Sequence, residues 1–273
     1  MSAIESAAVE FEKKSIYRVF RLGRFLELLE QRKNTLVRPA MWEDPWEEWW
    51  PSLVRKRLGA SVPADVFGQC WTTSKESDAI WRVYAPLRDG VKVRTTVAAL
   101  RESISSANMR YRAWVANVFY WSNAKLTKWG TGVIGHLERK KPKQDDLTDV
   151  RRALRDAQLE HLFDKKSASP QEWDEFLASH DANEFLRMID GIDPYQHKRL
   201  AFQWEHEVRL LAWFPEHLGS DTFSYPFDSV KHIHEVVFDP RMAESLCAMV
   251  KEYIGKLGFK CRVYRSRLYS LDL

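Results

Sequence analysis

The spacing of apolar residues changes along this chain, and the changes mark its elements. Ile16-Tyr17-Arg18-Val19-Phe20 is a short β-branched and aromatic run that predicts a strand. Phe25, Leu28 and Leu29 then recur at i, i+3 and i+4, which predicts a helix over 24–33 ending near Asn34. Leu36-Val37 predicts a second short strand, and 41–51 (MWEDPWEEWWP) reads as irregular, acidic and aromatic. Phe67 to Thr73 predicts a strand running into a Thr-Thr-Ser turn, and Ser77 is placed to cap a short helix through Ala85. Asp89-Gly90 turns the chain into the alternating strand Val91-Lys92-Val93, and 110–121 (RYRAWVANVFYW) predicts another strand.

Residues 138–166 change character, with seven acidic and nine basic residues and Leu147, Val150 and Leu154 as the one apolar stripe. Ser169-Pro170-Gln171-Glu172 has the form of a capping box with proline at the first helical position, and a helix to about Ile189 follows. Residues 138–190 therefore read as a helical insertion between two halves of a sheet. The last third returns to strands. Phe202–Trp213 alternates, 232–238 reads as a strand, and Asp239-Pro240 is placed to cap a long helix. Its stripe is Leu246, Met249, Val250, Tyr253, Ile254 and Leu257, and Gly258 stops it before a last strand at Phe259–Val263. Strands and helices mix without strict alternation, so the expected fold is α+β, a single domain over 1–273.

Composition narrows the function classes. A 273-residue chain that is 45% hydrophobic can bury a sizeable core, and 42 basic against 38 acidic residues leave only +4. That balance excludes a polycationic tail; the sequence pI near 8.8 is compatible with a nucleic-acid partner without requiring one. Mean hydropathy is −0.45 and no apolar run reaches the roughly 18 residues of a membrane span. The opening MSAIESAAVEFEKK lacks a basic start and apolar core, and the three cysteines form no CxxC, so the expectation is a cytoplasmic protein without membrane contact. Twelve tryptophans supply both core and flat surfaces on which a base or nicotinamide could stack.

Several local patterns carry candidate chemistry. Gly130 to Gly135 spells GxGxxG, but Glu138-Arg139-Lys140-Lys141-Pro142 follows, which cannot make the apolar-faced helix of a dinucleotide fold; a glycine-rich hairpin fits better. No GxxxxGK[ST] loop exists. His232 and His234 could share a strand face as metal ligands, with no third ligand placed. The strongest signal is Gln203-Trp204-Glu205-His206-Glu207-Val208-Arg209-Leu210-Leu211. On a strand, Glu205, Glu207 and Arg209 share one face, with the carboxylates roughly 7 Å apart. Such a pair raises one pKa or needs a cation or ligand; alternatively Arg209 neutralises it on a solvated face.

Glu205-His206-Glu207-Val208-Arg209-Leu210-Leu211 resembles the Glu-x-Glu strand of ADP-ribosyltransferases. Tyr17-Arg18-Val19 resembles the family's early Arg-bearing strand, and Trp71-Thr72-Thr73-Ser74 its Ser-Thr-Ser turn, in the same order. A second resemblance spans nearly the whole chain. The early Tyr-Arg, Glu43-Asp44-Pro45-Trp46-Glu47, Trp81-Arg82-Val83-Tyr84-Ala85 and the Trp-x-x-Glu-x-Arg strand are similar to a bacterial family catalogued as domain of unknown function 2971. Two departures are a Thr-Thr where that family has Ser and Glu43 where it has Asn.

The first resemblance implies a split, twisted sheet around a cleft and an NAD-dependent transferase, in the usual setting of such domains a toxin or defence effector. It implies that Glu207 faces the ribosyl cation and that Glu205 orients or deprotonates the acceptor. Arg18 would grip the NAD diphosphate, and Thr72 or Thr73 would bond the ribose and position Glu207. Trp71, Trp81 and Tyr84 would stack on nicotinamide or wall it from water, with core packing as the alternative. The expected acceptor is a nucleic acid ahead of a protein, and an antitoxin is a possible partner. Two other classes compete. One is an interaction module on a decayed transferase scaffold, binding through Trp42, Trp46, Trp49 and Trp50; the other is a metal-dependent nuclease using Glu205, Glu207 and His234.

Overall fold

The computed structural model describes residues 9–48, 65–105, 111–128, 131, 193–214 and 218–270. The glycine string around Thr131, the insertion at 138–190, and Trp49 and Trp50 lie outside the described residues. The chain folds as α+β: a nine-stranded mixed sheet, a small two-stranded sheet and flanking helices. The strands are β1 (Ser15–Arg21), β2 (Lys33–Val37), β3 (Asp65–Thr72), β4 (Gly90–Thr96), β5 (Arg112–Asn117), β6 (Phe119–Trp121), β7 (His197–Arg199), β8 (Glu207–Phe214), β9 (Thr222–Pro226), β10 (Glu235–Phe238) and β11 (Arg262–Arg265). The helices that matter here are α1 (Leu22–Gln31), α2 (Asp78–Tyr84), α3 (Val97–Ser105), α4 (Ser229–His232) and α5 (Glu244–Lys256). No helix among the described residues is long and apolar enough to cross a membrane.

The sheet forks at β3. One edge of β3 pairs antiparallel with β8 over eight residues, from Asp65↔Phe214 to Thr72↔Glu207. β5 then continues the sheet beyond β8. The other edge is divided: it meets β2 only at Val37↔Gly68 and β1 only at Tyr17↔Thr72. β1 leads to β4, β10 and β11, while β2 leads to β9. Where the ladder opens, side chains replace it. Gln69 Nε2 donates to the Thr35 carbonyl at 3.1 Å and to Asn34 Oδ1 at 2.7 Å, and the Arg18 guanidinium donates to the Cys70 carbonyl.

One face of the sheet carries the apolar core. It gathers Phe25, Leu28 and Leu29 of α1, Leu100 and Ile104 of α3, and Val250 and Ile254 of α5 over Ile16, Phe67, Val91, Leu210 and Phe238. At ~25 cal/mol per Å² of apolar area, each such side chain contributes about 1.5–3 kcal/mol. Val208, Leu210, Ala212 and Phe214 of β8 join this core. The opposite face of β8 is also buried, because Leu211 and Trp213 pack with Val66, Tyr195 and the half-buried Trp42. Trp42 can lie flat on β3 only because residue 68 is glycine: a Cβ there would sit 2.5 Å from its ring.

Several element boundaries move from their expected places. α1 is confirmed, ending in left-handed Arg32 (φ 50°), and Ser77 Oγ caps α2 by accepting from the Ile80 N–H at 3.4 Å. α5 begins at Glu244 and not after Asp239, because Asp239 is held by Arg241 instead, and Met249 falls off the stripe, 67% exposed. The expected strand at 232–238 is shorter: His232 ends α4 and β10 starts at Glu235. The expected strand Phe202–Trp213 begins only at Glu207. Leu200–Glu205 is a 3-10 turn and His206 is left-handed (φ 45°). Pairing with β3 ends at Thr72, so the preceding residues find no strand partner and close local bonds such as His206 N–H to the Gln203 carbonyl.

Candidate functional site

The fork brings the three separated motifs into one row. Tyr17 pairs with Thr72, and Thr72 pairs with Glu207, so β1, β3 and β8 present their motif residues side by side. The threonines hold the turn that precedes Glu207. Thr72 Oγ1 donates to the Glu205 carbonyl at 2.5 Å and accepts from the Ser74 N–H at 3.0 Å, and the Thr73 N–H donates to the His206 carbonyl at 3.0 Å. Thr72 and Thr73 thus reach Glu207 through the backbone.

Glu205 and Glu207 do not share a strand face, yet their carboxylates converge, because the left-handed His206 folds the turn back. Both bind one ammonium: Lys198 Nζ lies 2.7 Å from Glu205 Oε2 and 3.1 Å from Glu207 Oε2. Lys198 is brought there by parallel pairing of β6 with β7, where it sits opposite Tyr120, whose hydroxyl accepts from the Glu207 N–H at 2.7 Å. Arg209 is fully buried and uses four of its five donors. Its Nε and Nη2 hold Glu207 at 2.7 and 3.1 Å, its Nη1 donates to the Tyr195 carbonyl at 2.6 Å, and Nη2 also reaches Glu47. Trp42 covers the guanidinium at 4.3 Å.

Glu47 comes from the Asp-Pro turn. Asp44 accepts from the Trp46 N–H at 3.1 Å and pairs with Arg199 at 2.8 Å, which aims residues 45–48 at the cluster. The cluster therefore holds three carboxylates (Glu47, Glu205, Glu207) and two cations (Lys198, Arg209), all buried. Burial opposes ionisation of Glu207, but Arg209 and Lys198 outweigh it and hold its carboxyl down at about 2. Glu47 and Glu205 go the other way: burial raises both, offset only in part by Arg209 and Lys198 respectively. Burial also pushes up the Cys70 thiol, and the Glu207 charge adds to the effect. Lys198 stays protonated despite burial because Glu207 and Glu47 hold its charge.

Arg18 lies at the mouth of the fork and is differently placed. Its Nε is shut off from water with no hydrogen-bond partner, and it has no ion pair among the described residues. Burial lowers its affinity for the proton, with Cys70, Tyr84 and Glu207 opposing. Tyr84 is 41% exposed, and its hydroxyl is raised by burial first and Glu205 next. Trp71 and Trp81 belong to the packed interior, 4% and 1% exposed, with their indole N–H groups on Gln69 at 2.9 Å and Glu76 at 2.6 Å. No family model, curated protein or solved structure matches this chain.

The competing sets fare differently. Trp42 is spent on Gly68, Tyr195 and Arg209, so it is no outward binding face; Trp46 is half-buried. His232 and His234 do not share a strand, and among the described residues no three His, Cys, Asp or Glu side chains group to hold a metal. Sequence reasoning missed Lys198, Glu47 and Tyr120. Lys198 and Tyr120 had no signal, while Glu47 had one in the Asp44-Pro45 turn, whose geometry aims it inward.

Proposed function

We propose that the chain is an NAD-dependent ADP-ribosyltransferase with an ADP-ribosyltransferase-like split sheet. The observation that carries this reading is the Tyr17–Thr72–Glu207 row, which gathers motif residues 190 positions apart onto three adjacent strands. Arg18 supports it, because an unpaired, half-buried guanidinium at the end of that row suits the NAD diphosphate. The Glu205–Glu207 pair already binds a cation, the Lys198 ammonium. In the reaction, the ribosyl group takes that place as Lys198 gives way. Breaking the nicotinamide–ribose bond leaves the electron pair on nicotinamide and positive charge on the sugar, which ionised Glu207 stabilises. Glu205 has the higher affinity for a proton, so it suits removal of the acceptor proton. The acceptor in this reading is a nucleic acid ahead of a protein, and the setting a cytoplasmic toxin or defence effector with an antitoxin partner.

A second reading, an interaction module on an inactive scaffold, is favoured by one observation: Glu207 is 4% exposed and its oxygens are fully engaged. Labelled-NAD turnover separates the two. Glu207→Gln is expected to bind NAD nearly as wild type while turnover falls about 10²–10³-fold. No turnover in either protein selects the interaction module, and equal turnover in both removes Glu207 from the reaction.

A further inference from the structure

The two cations of the carboxylate cluster are held in different ways. Arg209 is the innermost side chain, 0% exposed, and its bonds tie β8 to Glu47 of the Asp-Pro turn and to the Tyr195 carbonyl. Lys198 and Glu205 form the outer layer, at 8% and 9%. The Lys198 ammonium bonds only the carboxylate pair, at 2.7 Å to Glu205 and 3.1 Å to Glu207. It stands on β7, three residues long and paired, among the described residues, with β6 alone. So short a ladder is marginal by itself. From outside the pair, β7 is steadied by its next residue: Arg199 grips Asp44 through both carboxylate oxygens, at 2.8 and 3.1 Å. Both cations also lie over the Phe202 ring, at 4.8 and 5.2 Å.

Withdrawing the ammonium would uncover Glu205 and one oxygen of Glu207 and leave them short of one positive charge. Buried carboxylates tolerate that only if another cation takes the place. The seat is thus filled either by the chain's own ammonium or by positive charge on a ligand, one for one. We propose that Lys198 is an autoinhibitory plug, which β7 holds in the seat of the ligand's positive charge and which leaves it when β7 loosens. The identity of that ligand rests on the transferase reading, whereas the motion of the plug does not. A site closed for most of the time binds its ligand more weakly by the fraction of molecules that are open.

Acetylation of the full chain by an N-hydroxysuccinimide ester, read by mass spectrometry of the peptide bearing Lys198, tests the motion. Lys198 is expected to react through local opening, at a rate that stays flat in low urea. Arg199→Gln leaves Lys198 and both carboxylates in place and should speed that reaction about tenfold. Lys198→Met should raise labelled-NAD turnover at subsaturating NAD by about tenfold, because the plug is gone. Faster acetylation in Arg199→Gln without NAD turnover in any of the proteins would keep the plug and remove the transferase reading. The plug is overturned if acetylation of Lys198 follows global unfolding in urea and is unchanged in Arg199→Gln. A folded Lys198→Met that turns over NAD more slowly than wild type overturns it as well, since the ammonium would then serve the reaction. If Lys198→Met is poorly folded, Arg199→Gln carries the test.

Discussion

Arg209 and Arg18 lie in the same site, and their surroundings are opposite. Arg209 on β8 is wrapped by Glu207, Glu47 and the Tyr195 carbonyl, with Trp42 over its face. Arg18 on β1 has one backbone carbonyl and a bare Nε. The β8 side is complete by itself: its charges were withdrawn from water together with their partners. The β1 side is not, since its guanidinium is half-buried and has gained no anion among the described residues in return. A folded chain keeps such a group either because packing compels it or because something outside the chain supplies the missing charge. That difference separates a side whose charges already have partners within the chain from a side suited to the charge of a ligand.

The largest expected effect is on the complete side. Arg209→Met takes the guanidinium from Glu47 and leaves Glu207 with Lys198 alone, so stability should fall by about 3–5 kcal/mol and Tm by about 10 °C in a circular dichroism melt. A loss of less than about 1 kcal/mol would show that the cluster relaxes into solvent and is not closed.

Acid should then find the same cluster. Glu207 titrates at about 2 when folded, below its ordinary 4.5, so its stabilisation is present above 4.5 and is lost as pH falls toward 2. Glu47 and Glu205 are raised, so protonating them on the way down to about 4.5 relieves a cost and does not add one. Urea midpoints should therefore hold or rise down to about pH 4.5, then drop by the equivalent of about 3 kcal/mol toward pH 2. Glu207→Gln should remove that acid drop; a drop of the same depth in the variant would assign it to other carboxylates.

On the incomplete side the expected effects are smaller and concern binding. Arg18→Ala should weaken NAD by about 10- to 150-fold with melting unchanged or slightly improved, because an unpaired charge is removed. Arg18→Lys should recover only part of this, since it keeps the charge and loses the fork. An unchanged dissociation constant together with a lowered Tm would return Arg18 to the scaffold. Smallest is Thr72→Val, which deletes the bond to the Glu205 carbonyl and should cost about 1 kcal/mol. The sharper readout is turnover, which should fall while NAD affinity holds if the turn positions Glu207.

The strands of the sheet were largely legible because each pairs over a run of alternating residues, as β1, β3 and β4 do. The alternation of β8 was also readable from Glu207 onward. Its start was not, because that depends on where β3 stops, more than 130 residues earlier in the chain. The same gap hid the fate of the pair. Glu205 and Glu207 looked like neighbours on a solvated face, and the cation that joins them stands on a three-residue strand without periodicity. Trp71 and Trp81 could not be divided into stacking and core residues by pattern, since either use demands a flat apolar ring. Glu47 is the instructive case: an acidic residue in an acidic, aromatic turn reads as exposed until the Asp44 contacts fix the turn's direction.

The parallel pairing of β6 with β7 has a further consequence. Residues 122–196 form the connection between these two strands, and Tyr120 and Lys198 lie opposite each other where it begins and ends. Parallel strands require a connection of a dozen residues or more, and beyond that the entropic cost of a longer one grows only logarithmically, about 0.6 kcal/mol per doubling. The junction thus works as a socket. Apart from Tyr195, which packs on β8 and accepts from Arg209, the connection can change in length at little entropic cost while the ammonium and the phenol that flank Glu207 stay where they are.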